Sequence, residues 1–290
     1  MSIKKRLVRR TGFLAAIIVI VIIVDLMLSS FSLIVTDYGL VAQQITETIR
    51  IVQLTDIHNS EFGEENSRLI ALLKEKKPDL ILVTGDLLDS KVKYTDIAVT
   101  LLRKLCQIAP VYVSMGNHEV DYERNYGVDL IPVYKETGAH VLEYNYEDIE
   151  VNDQAIRIGG VYGYCLPKNG EAARLIDTDF LEEFQNTDSL KLLLAHLPLA
   201  WYRSGSLDAW NVDYVFSGHT HGGQIRIPLV GGLWAPDKGW FPGKEKGLYY
   251  SDDGSKVMVL SSGLGNTEKI PRFNNIPEVV VVDIVPAAND

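Results

Sequence analysis

The segment Ile51-Val52-Gln53-Leu54-Thr55-Asp56-Ile57-His58 joins a short apolar run to an acidic residue and a histidine. Its first five residues are mostly apolar and rich in Ile, Val and Leu, a pattern typical of a buried strand. Similar runs predict four more strands: Leu80–Thr84, Val111–Met115, Leu190–Ala195 and Asp213–Ser217. Segments with helical periodicity lie among them, at Asn66–Lys77, Tyr94–Cys106, Asp121–Thr137 and Glu171–Phe184. This alternation predicts an α/β domain.

Groups that can bind metals or transfer protons follow every one of these five strands. They are Asp56-Ile57-His58, Gly85-Asp86, Gly116-Asn117-His118-Glu119, His196 and Gly218-His219-Thr220-His221. Each signal is weak alone, but loops beyond the carboxyl ends of strands meet in one crevice of an open α/β sheet. Buried imidazoles and carboxylates in such a crevice are costly unless something pairs with them. We therefore predict a pair of divalent metal ions, and these ligands suit Mn, Fe or Zn.

Later segments predict a second, mixed sheet packed against the first. Its strands are expected at Ala155–Gly163, Lys256–Ser262 and Glu278–Val285, and His140 is interpreted as an ordinary residue at a strand edge. The predicted organisation is an anchor over residues 1–36, a tether over 37–49 and one domain over 50–285. Cys106 and Cys165 are compatible with one disulfide or with two unpaired, buried thiols.

The amino terminus predicts a membrane anchor. Five basic residues precede Gly12–Val35, which as a helix would extend about 36 Å, against about 30 Å for the hydrocarbon core. The charge of Asp25 opposes insertion into the bilayer, but the favourable transfer of the apolar residues outweighs that cost. We expect Asp25 in the outer half of the bilayer. The positive charges predict a single-pass protein of the cell membrane with its catalytic domain outside the cytoplasm. A cleaved signal peptide is the alternative, because Gly12–Val24 has the length of a signal-peptide apolar region.

Composition restricts the partners. The 290 residues carry a net charge of −10, and the 254 residues after the anchor carry 23 basic and 37 acidic groups, or −14. Such a body makes nucleic acid an unlikely partner, because nucleic-acid binders need a basic face. An anionic substrate would need a local positive charge, which bound metal ions supply.

The five blocks together resemble the calcineurin-like metallophosphoesterases, whose D-x-H, G-D-x-x-D, G-N-H-[ED], H and G-H-x-H pattern they match in order. The resemblance covers about residues 50–285 and implies a four-layer α/β/β/α sandwich. The segments Gly218–Ile225 and Pro271–Glu278 resemble a membrane-associated bacterial branch. That branch includes envelope phosphodiesterases and resembles the enzyme that cleaves the pyrophosphate of UDP-2,3-diacylglucosamine.

The resemblance also implies roles for individual residues. One metal would be held by Asp56, His58 and His221, the other by Asn117, His196 and His219, with Asp86 bridging both. His118 would face the leaving group as a proton donor or charge stabiliser. Asp89 would fix its imidazole, although a helix cap is an equally good interpretation of that residue.

The expected function is hydrolysis of a phosphodiester, pyrophosphate or phosphomonoester by two metals and a bridging hydroxide. The substrate would be a phosphorylated small molecule or a lipid-linked envelope compound. Trp234, Trp240 and Phe241, within Ile227–Gly243, could hold an acyl chain, lie at the bilayer surface or pack on the domain. Arg226 and Arg272 are weaker candidates for phosphate contacts. The alternative function is a catalytically silent metal-binding scaffold of the same fold.

Overall fold

Helices and strands alternate in this computed structural model, which describes residues 3–162, 175–203, 205–235, 239–243, 245–266 and 271–288. The helices are α1 (Ile3–Phe31), α2 (Ser67–Lys76), α3 (Asp96–Leu105), α4 (Asn117–Tyr126), α5 (Leu130–Lys135), α6 (Leu175–Phe184), α7 (Leu199–Arg203) and α8 (Ser206–Ala209). The strands are β1 (Ile34–Ala42), β2 (Ile49–Leu54), β3 (Leu80–Thr84), β4 (Val111–Ser114), β5 (His140–Leu142), β6 (Asn145–Val151), β7 (Gln154–Val161), β8 (Leu190–Ala195), β9 (Tyr214–Ser217), β10 (Arg226–Ile227), β11 (Gly231–Ala235), β12 (Gly239–Gly243), β13 (Gly247–Tyr250), β14 (Val257–Leu260) and β15 (Glu278–Pro286). Cys165 and residues 171–174 of the fourth predicted helix lie outside the described residues.

Two six-stranded sheets form the body. The first has the order β1-β15-β2-β3-β4-β5 and the second β13-β14-β9-β8-β7-β6. Strands β2, β3, β4 and β5 run parallel in the first sheet, and β14, β9, β8 and β7 run parallel in the second. Most of these strands are apolar along their whole length because both faces of each sheet are covered.

Three apolar clusters hold four layers together. The central cluster joins the inner faces of the two sheets and includes Ile51 and Leu82 of the first sheet and Leu192 and Phe216 of the second. Outer clusters pack α2, α3, α4 and α5 on the first sheet and α6, α7 and α8 on the second. The predicted α/β/β/α sandwich is confirmed.

The distribution of strands between the sheets differs from the prediction. The structure places β8 and β9 in the second sheet, whereas β15, expected there, lies in the first sheet between β1 and β2. The reason is that β15 pairs antiparallel with β2 and parallel with β1, which satisfies both of its hydrogen-bonding edges, and its valine run is buried in that position. The five strands with chemical groups at their carboxyl ends therefore divide three to two between facing sheets.

The predicted helix Asp121–Thr137 is two helices, α4 and α5. Gly127 ends α4 with a left-handed backbone (φ 64°), which a glycine adopts without steric cost. Asp129 then caps α5 by accepting a hydrogen bond from the Ile131 amide at 3.0 Å. His140, as predicted, lies at the exposed start of the edge strand β5 and forms an ion pair with Glu147 at 2.8 Å.

The tether expected over residues 37–49 is largely a strand. Strand β1 pairs with β15 along its whole length, from Ile34 with Glu278 to Ala42 with Pro286. Only Ser32 and Leu33 separate it from α1. The tether prediction failed because the polar residues of this segment are those of an edge strand with one solvent-facing side.

Helix α1 carries the segment predicted to cross a membrane. Within Arg10–Phe31, an apolar stretch of 18 residues has a mean hydropathy of 2.8 and is not buried in the body, so the helix can serve as a membrane anchor or a signal sequence. Its carboxyl end contacts the body, where Asp25 accepts a hydrogen bond from the Asn274 amide at 2.8 Å and the Phe31 carbonyl accepts one from Arg68 at 3.0 Å. The carboxylate that opposed insertion thus has a polar partner.

The aromatic segment Ile227–Gly243 is a small antiparallel sheet where it is described. Its strands have the order β10-β11-β12, and Trp234 of β11 pairs with Trp240 of β12. Strand β12 is an edge strand of this sheet.

Strand β1 predicts where a truncation damages the body. A fragment starting at Leu33 should fold, whereas a fragment starting at Gln43 should lose about 3 kcal/mol or more of unfolding free energy, because Leu40 and Ala42 leave the core and β15 becomes an edge. Urea unfolding followed by far-ultraviolet circular dichroism measures both fragments. Equal stability of the two would contradict the role of β1.

Candidate metal centre

All seven predicted metal ligands meet at the carboxyl edge of the two sheets. Loops after β2, β3 and β4 of the first sheet face loops after β8 and β9 of the second. The side chains that meet there are Asp56, His58, Asp86, Asn117, His196, His219 and His221. Asp56, His58, Asp86, His196 and His221 are each 5% exposed or less. Parallel strands in both sheets explain the meeting, because their carboxyl ends lie at the same edge.

The donor atoms form two adjoining groups with Asp86 between them. In the first, His58 Nε2 lies 3.3 Å from His221 Nε2, and Asp56 Oδ1 lies 3.9 Å and 3.7 Å from these two atoms. In the second, His196 Nε2 lies 3.0 Å from Asn117 Oδ1, which is 2.9 Å from His219 Nδ1.

Asp86 faces both groups with one carboxylate oxygen. Its Oδ2 atom lies 3.7 Å from His58 Nε2 and 3.2 Å from His196 Nε2. This is the position that a ligand shared by two metal ions requires.

The backbone holds these side chains in unusual conformations. Asp56, His58, Asp86, His219 and His221 all have positive φ values, between 48° and 73°. Non-glycine residues adopt this region rarely, and such strain collects where the surroundings fix a functional geometry.

Two glycines allow the loops to approach one another. A Cβ at Gly116 would overlap Asp86, and a Cβ at Gly218 would overlap Thr55 and Asp56. The first contact joins loops of one sheet and the second joins loops of the two facing sheets. Any larger residue at either position would push the donor atoms apart.

Hydrogen bonds orient two of the imidazoles toward the cluster. The Thr84 carbonyl lies 2.8 Å from His196 Nδ1, and the Leu88 carbonyl lies 3.4 Å from His58 Nδ1. A carbonyl only accepts, so each Nδ1 carries a proton and, in the neutral ring, each Nε2 presents a lone pair. Both lone pairs point toward acceptor oxygens of Asp86 or Asn117, which is unfavourable unless a cation lies among them.

The pKa values of two histidines reflect the burial and the negative charge of the site. Burial acts to lower the pKa of His196, but the negative charge of Asp86 and its hydrogen bond raise that pKa to about 10. Burial lowers the pKa of His58 to about 3, despite the nearby Asp86 charge. His58 is therefore neutral, the form that binds a divalent metal, whereas at His196 a metal ion would replace the proton that Asp86 stabilises. The donor set fits the metal ions that the sequence predicted.

His118 occupies the rim of the cluster and is less buried than His58 and Asp86. Its Nδ1 atom accepts a hydrogen bond from the Ser90 amide at 3.1 Å, and Asp89 Oδ1 lies farther away, at 3.6 Å. Asp89 instead accepts a hydrogen bond from the Lys91 amide at 3.0 Å. Ser90, which the sequence did not indicate, is therefore the hydrogen-bond partner of this imidazole through its amide, and its hydroxyl oxygen also lies 3.3 Å from Nδ1.

Glu119 is a buried residue of the site to which the sequence analysis gave no role. Its Oε2 accepts hydrogen bonds from the amides of Asp86 and Gly116, and its Oε1 accepts one from Leu87, all at 2.8 Å. The carboxylate thus joins the loops after β3 and β4. The signal in the sequence that could have identified Glu119 was its place in the Gly116-Asn117-His118-Glu119 block.

Arg272 lies behind His221 and is 3% exposed. Its Nη2 donates to the Ser262 carbonyl at 2.7 Å and lies 3.3 Å from His221 Nδ1, and its Nε donates to the Gly265 carbonyl at 2.9 Å. Arg226, the other candidate for a phosphate contact, donates to the Gly222 carbonyl at 2.5 Å. In this structure both arginines hold the loops that carry the last two histidines.

Comparison with known proteins gives the family. Residues 49–223 match the family model described as calcineurin-like phosphoesterase. The chain is 30% identical over 241 residues to the uncharacterized metallophosphoesterase YkuE of Bacillus subtilis, covering 80% of this chain and 77% of the relative. It is also 30% identical over 248 residues to the phosphodiesterase YaeI of Escherichia coli, covering 81% of this chain and 82% of the relative.

Solved structures resemble the chain more distantly. The crystal structure of a 5'-nucleotidase precursor from Thermus thermophilus aligns with a TM-score of 0.48 and 16% identity, over 74% of this chain and 49% of that one. The sequence relatives therefore carry the assignment. On the family model, these relatives and the cluster of candidate metal ligands, the chain belongs to the calcineurin-like phosphoesterase family and is a metal-dependent phosphoric ester hydrolase.

Proposed function

We propose that the protein is a membrane-anchored phosphodiesterase that works with two divalent metal ions on a lipid-linked or other envelope phosphate compound. The observation that carries the metal pair is the position of Asp86 Oδ2 between His58 and His196. Asp56, His58 and His221 would hold one ion, Asn117, His196 and His219 the other, and Asp86 would bind both. The E. coli relative, described as a phosphodiesterase, favours a diester substrate.

Bound metals would supply Lewis acidity and a nucleophile derived from water at neutral pH. They would also supply the positive charge that a body of net charge −14 lacks. The identity of the ions stays a proposal among Mn, Fe and Zn, the metals that suit mixed nitrogen and oxygen ligands. Hydrolysis of a diester distinguishes this function from that of a silent scaffold, which would bind metal without turnover.

His118 is proposed as the proton donor to the leaving group. An amide only donates, so the hydrogen bond from Ser90 to Nδ1 places the proton of the neutral ring on Nε2. The backbone of His118 also donates to Asp86 Oδ1 at 2.8 Å, which fixes the imidazole beside the proposed metal ligands. Asp89 is close enough to influence this ring electrostatically, and its supporting role stays a proposal.

The proposed centre predicts the metal content of two variants. The Asp86→Asn variant should fall from about two bound ions per chain to one or fewer, because its amide cannot replace a charged ligand shared by both ions. Asp89→Asn, three residues along, is the matched control and should keep both ions. Elemental analysis after removal of free metal measures this, and an unchanged content in Asp86→Asn would exclude the shared-ligand role.

His118→Ala should keep the metal ions and lose turnover by about 10² to 10⁴ on a diester with a poor leaving group. The loss should be much smaller for bis-p-nitrophenyl phosphate, whose leaving group departs without a proton. Steady-state kinetics on both substrates, with metal content measured alongside, tests the assignment. Equal losses on both substrates would remove His118 from proton donation, and a loss of metal would make it a ligand.

Glu119→Gln should weaken metal binding about 10- to 100-fold, because an amide group would face backbone N–H donors that now meet a carboxylate. Glu123→Gln on the same helix is the control, since Glu123 accepts a hydrogen bond from the Leu130 amide at 2.9 Å, away from the site. Metal titration followed by activity measures the effect. A Glu119→Gln enzyme with unaltered metal affinity would contradict the positioning role.

A further inference from the structure

Two pairs of exposed apolar side chains lie on the small sheet β10-β11-β12. Leu229 and Val230 are in the turn between β10 and β11, and Trp240 and Phe241 are on the edge strand β12. All four are more than half exposed, from 57% for Val230 to 108% for Leu229. We call these four residues the apolar rim. An exposed apolar edge strand is an aggregation hazard that proteins normally avoid, so its presence favours a binding surface.

The apolar rim lies beside the end of the helix that can anchor the protein. The Asn274 amide donates to Asp25 of α1, and the Asn274 side chain donates to the Arg226 carbonyl of β10 at 3.0 Å. The turn with Leu229 and Val230 starts two residues after Arg226. One asparagine therefore connects the helix to the strand that leads into the apolar rim.

The length of α1 sets the depth of this region in a membrane. From Arg10 to Asp25 the helix rises about 22 Å, which is less than a hydrocarbon core of about 30 Å. With Arg10 at the inner boundary, the outer boundary of the core falls about one and a half turns beyond Asp25. Because the body contacts the helix at Asp25 itself, the neighbouring part of the body has to lie at or slightly below that boundary.

The connection between helix and body does not let the body move away. Residues Ser32 and Leu33 alone join α1 to β1, and the Ile34 amide donates to the Pro277 carbonyl at 2.9 Å. The segment around Asn274 is thus held near the membrane boundary from two sides. A flexible tether, as the sequence predicted, would have left the depth of the body undefined.

We propose that the apolar rim inserts into the interfacial region of the leaflet from which α1 emerges, so that the metal site faces the membrane surface. This rests on the proposed function, including the anchor. Tryptophan and phenylalanine suit that region, where an apolar body meets polar headgroups. The net charge of −14 gives no attraction to anionic lipid, so the apolar contact supplies the binding.

The same segment connects the proposed membrane surface to the metal site. Asn275 donates to the His221 carbonyl at 2.7 Å, one residue beyond the contact with α1. A cavity of about 210 Å³ lies in this region, lined by Ser29 and Ser30 of α1, Ser60 after β2, and Arg272. On this proposal, a phosphate ester whose chain stays in the leaflet would approach the site along this segment. The substrate class that this geometry favours is an amphiphilic phosphate diester.

Depth-dependent fluorescence quenching tests the insertion directly. The full chain is reconstituted in phosphatidylcholine bilayers that carry bromine atoms on the upper part of the acyl chains. We expect strong quenching of tryptophan fluorescence that is lost in Trp240→Phe and kept in Trp210→Phe, since Trp210 is fully buried in the body. Quenching that is the same in both variants would overturn the proposal, as would protection of Trp240 by a second copy of the chain.

Catalysis provides the second readout, with hexadecyl and ethyl p-nitrophenyl phosphate as substrates that differ only in the alkyl chain. The double variant Trp240→Ala with Phe241→Ala should lose about tenfold activity on the hexadecyl ester in bilayers and keep its activity on the ethyl ester. Tyr250→Ala is the matched control, because Tyr250 is 58% exposed but lies on β13, in the second sheet.

The two esters separate failure of this proposal from failure of the proposed function. A wild-type protein that hydrolyses neither ester would contradict the phosphodiesterase proposal, whereas the quenching result would still decide the insertion. A protein that hydrolyses both esters but loses the same fraction on each in the double variant would contradict the membrane role of the apolar rim alone.

Discussion

The site is organised by a group of electron-rich atoms that cannot lie together without a cation. His58 Nε2 and His196 Nε2 lie 3.7 Å and 3.2 Å from Asp86 Oδ2, and the Nδ1 atoms of both rings face backbone carbonyls. Burial removes water as a compensating partner. Positive charge at this point therefore makes the rest of the arrangement favourable. The family uses divalent metal ions, and we propose a pair of them here.

The fold brings these donor atoms together by packing two sheets face to face, so that loops from both sheets meet. Three loops of the first sheet and two of the second meet because every strand that leads into them ends at the same edge. Small residues at the crossing points, such as Gly218 against Asp56, allow the loops to touch. Glu119 then fixes the position of the Asp86 loop by accepting hydrogen bonds from the amides of Asp86 and Leu87.

The sequence predicted the layered α/β fold and the residues that meet at the site, because these follow from local patterns and from a motif order. It did not predict the sheet to which each strand belongs. The sequence pattern of a buried valine run such as that of β15 fits a strand of either sheet. Only its pairing with β1 and β2 decides its place. The sequence predicts a tether in place of β1, because an edge strand, like a tether, carries polar residues that face solvent.

The supporting roles of Glu119 and Arg272 were also missed, for a different reason, and Arg272 was predicted only as a candidate phosphate contact. Glu119 and Arg272 act on the backbone and the side chains of loops that are distant in sequence, and such contacts leave no periodic signal. The Ser90 amide could not be identified at all, since a backbone donor has no sequence signature.

The most direct measurement is a crystal structure of the metal-replete protein with anomalous diffraction recorded at the absorption edges of manganese, iron and zinc. Two anomalous peaks on either side of the Asp86 carboxylate, one beside His58 and His221 and the other beside His196 and His219, are the predicted result. A single peak, or a pair of peaks that does not include Asp86 as a common ligand, would contradict the account.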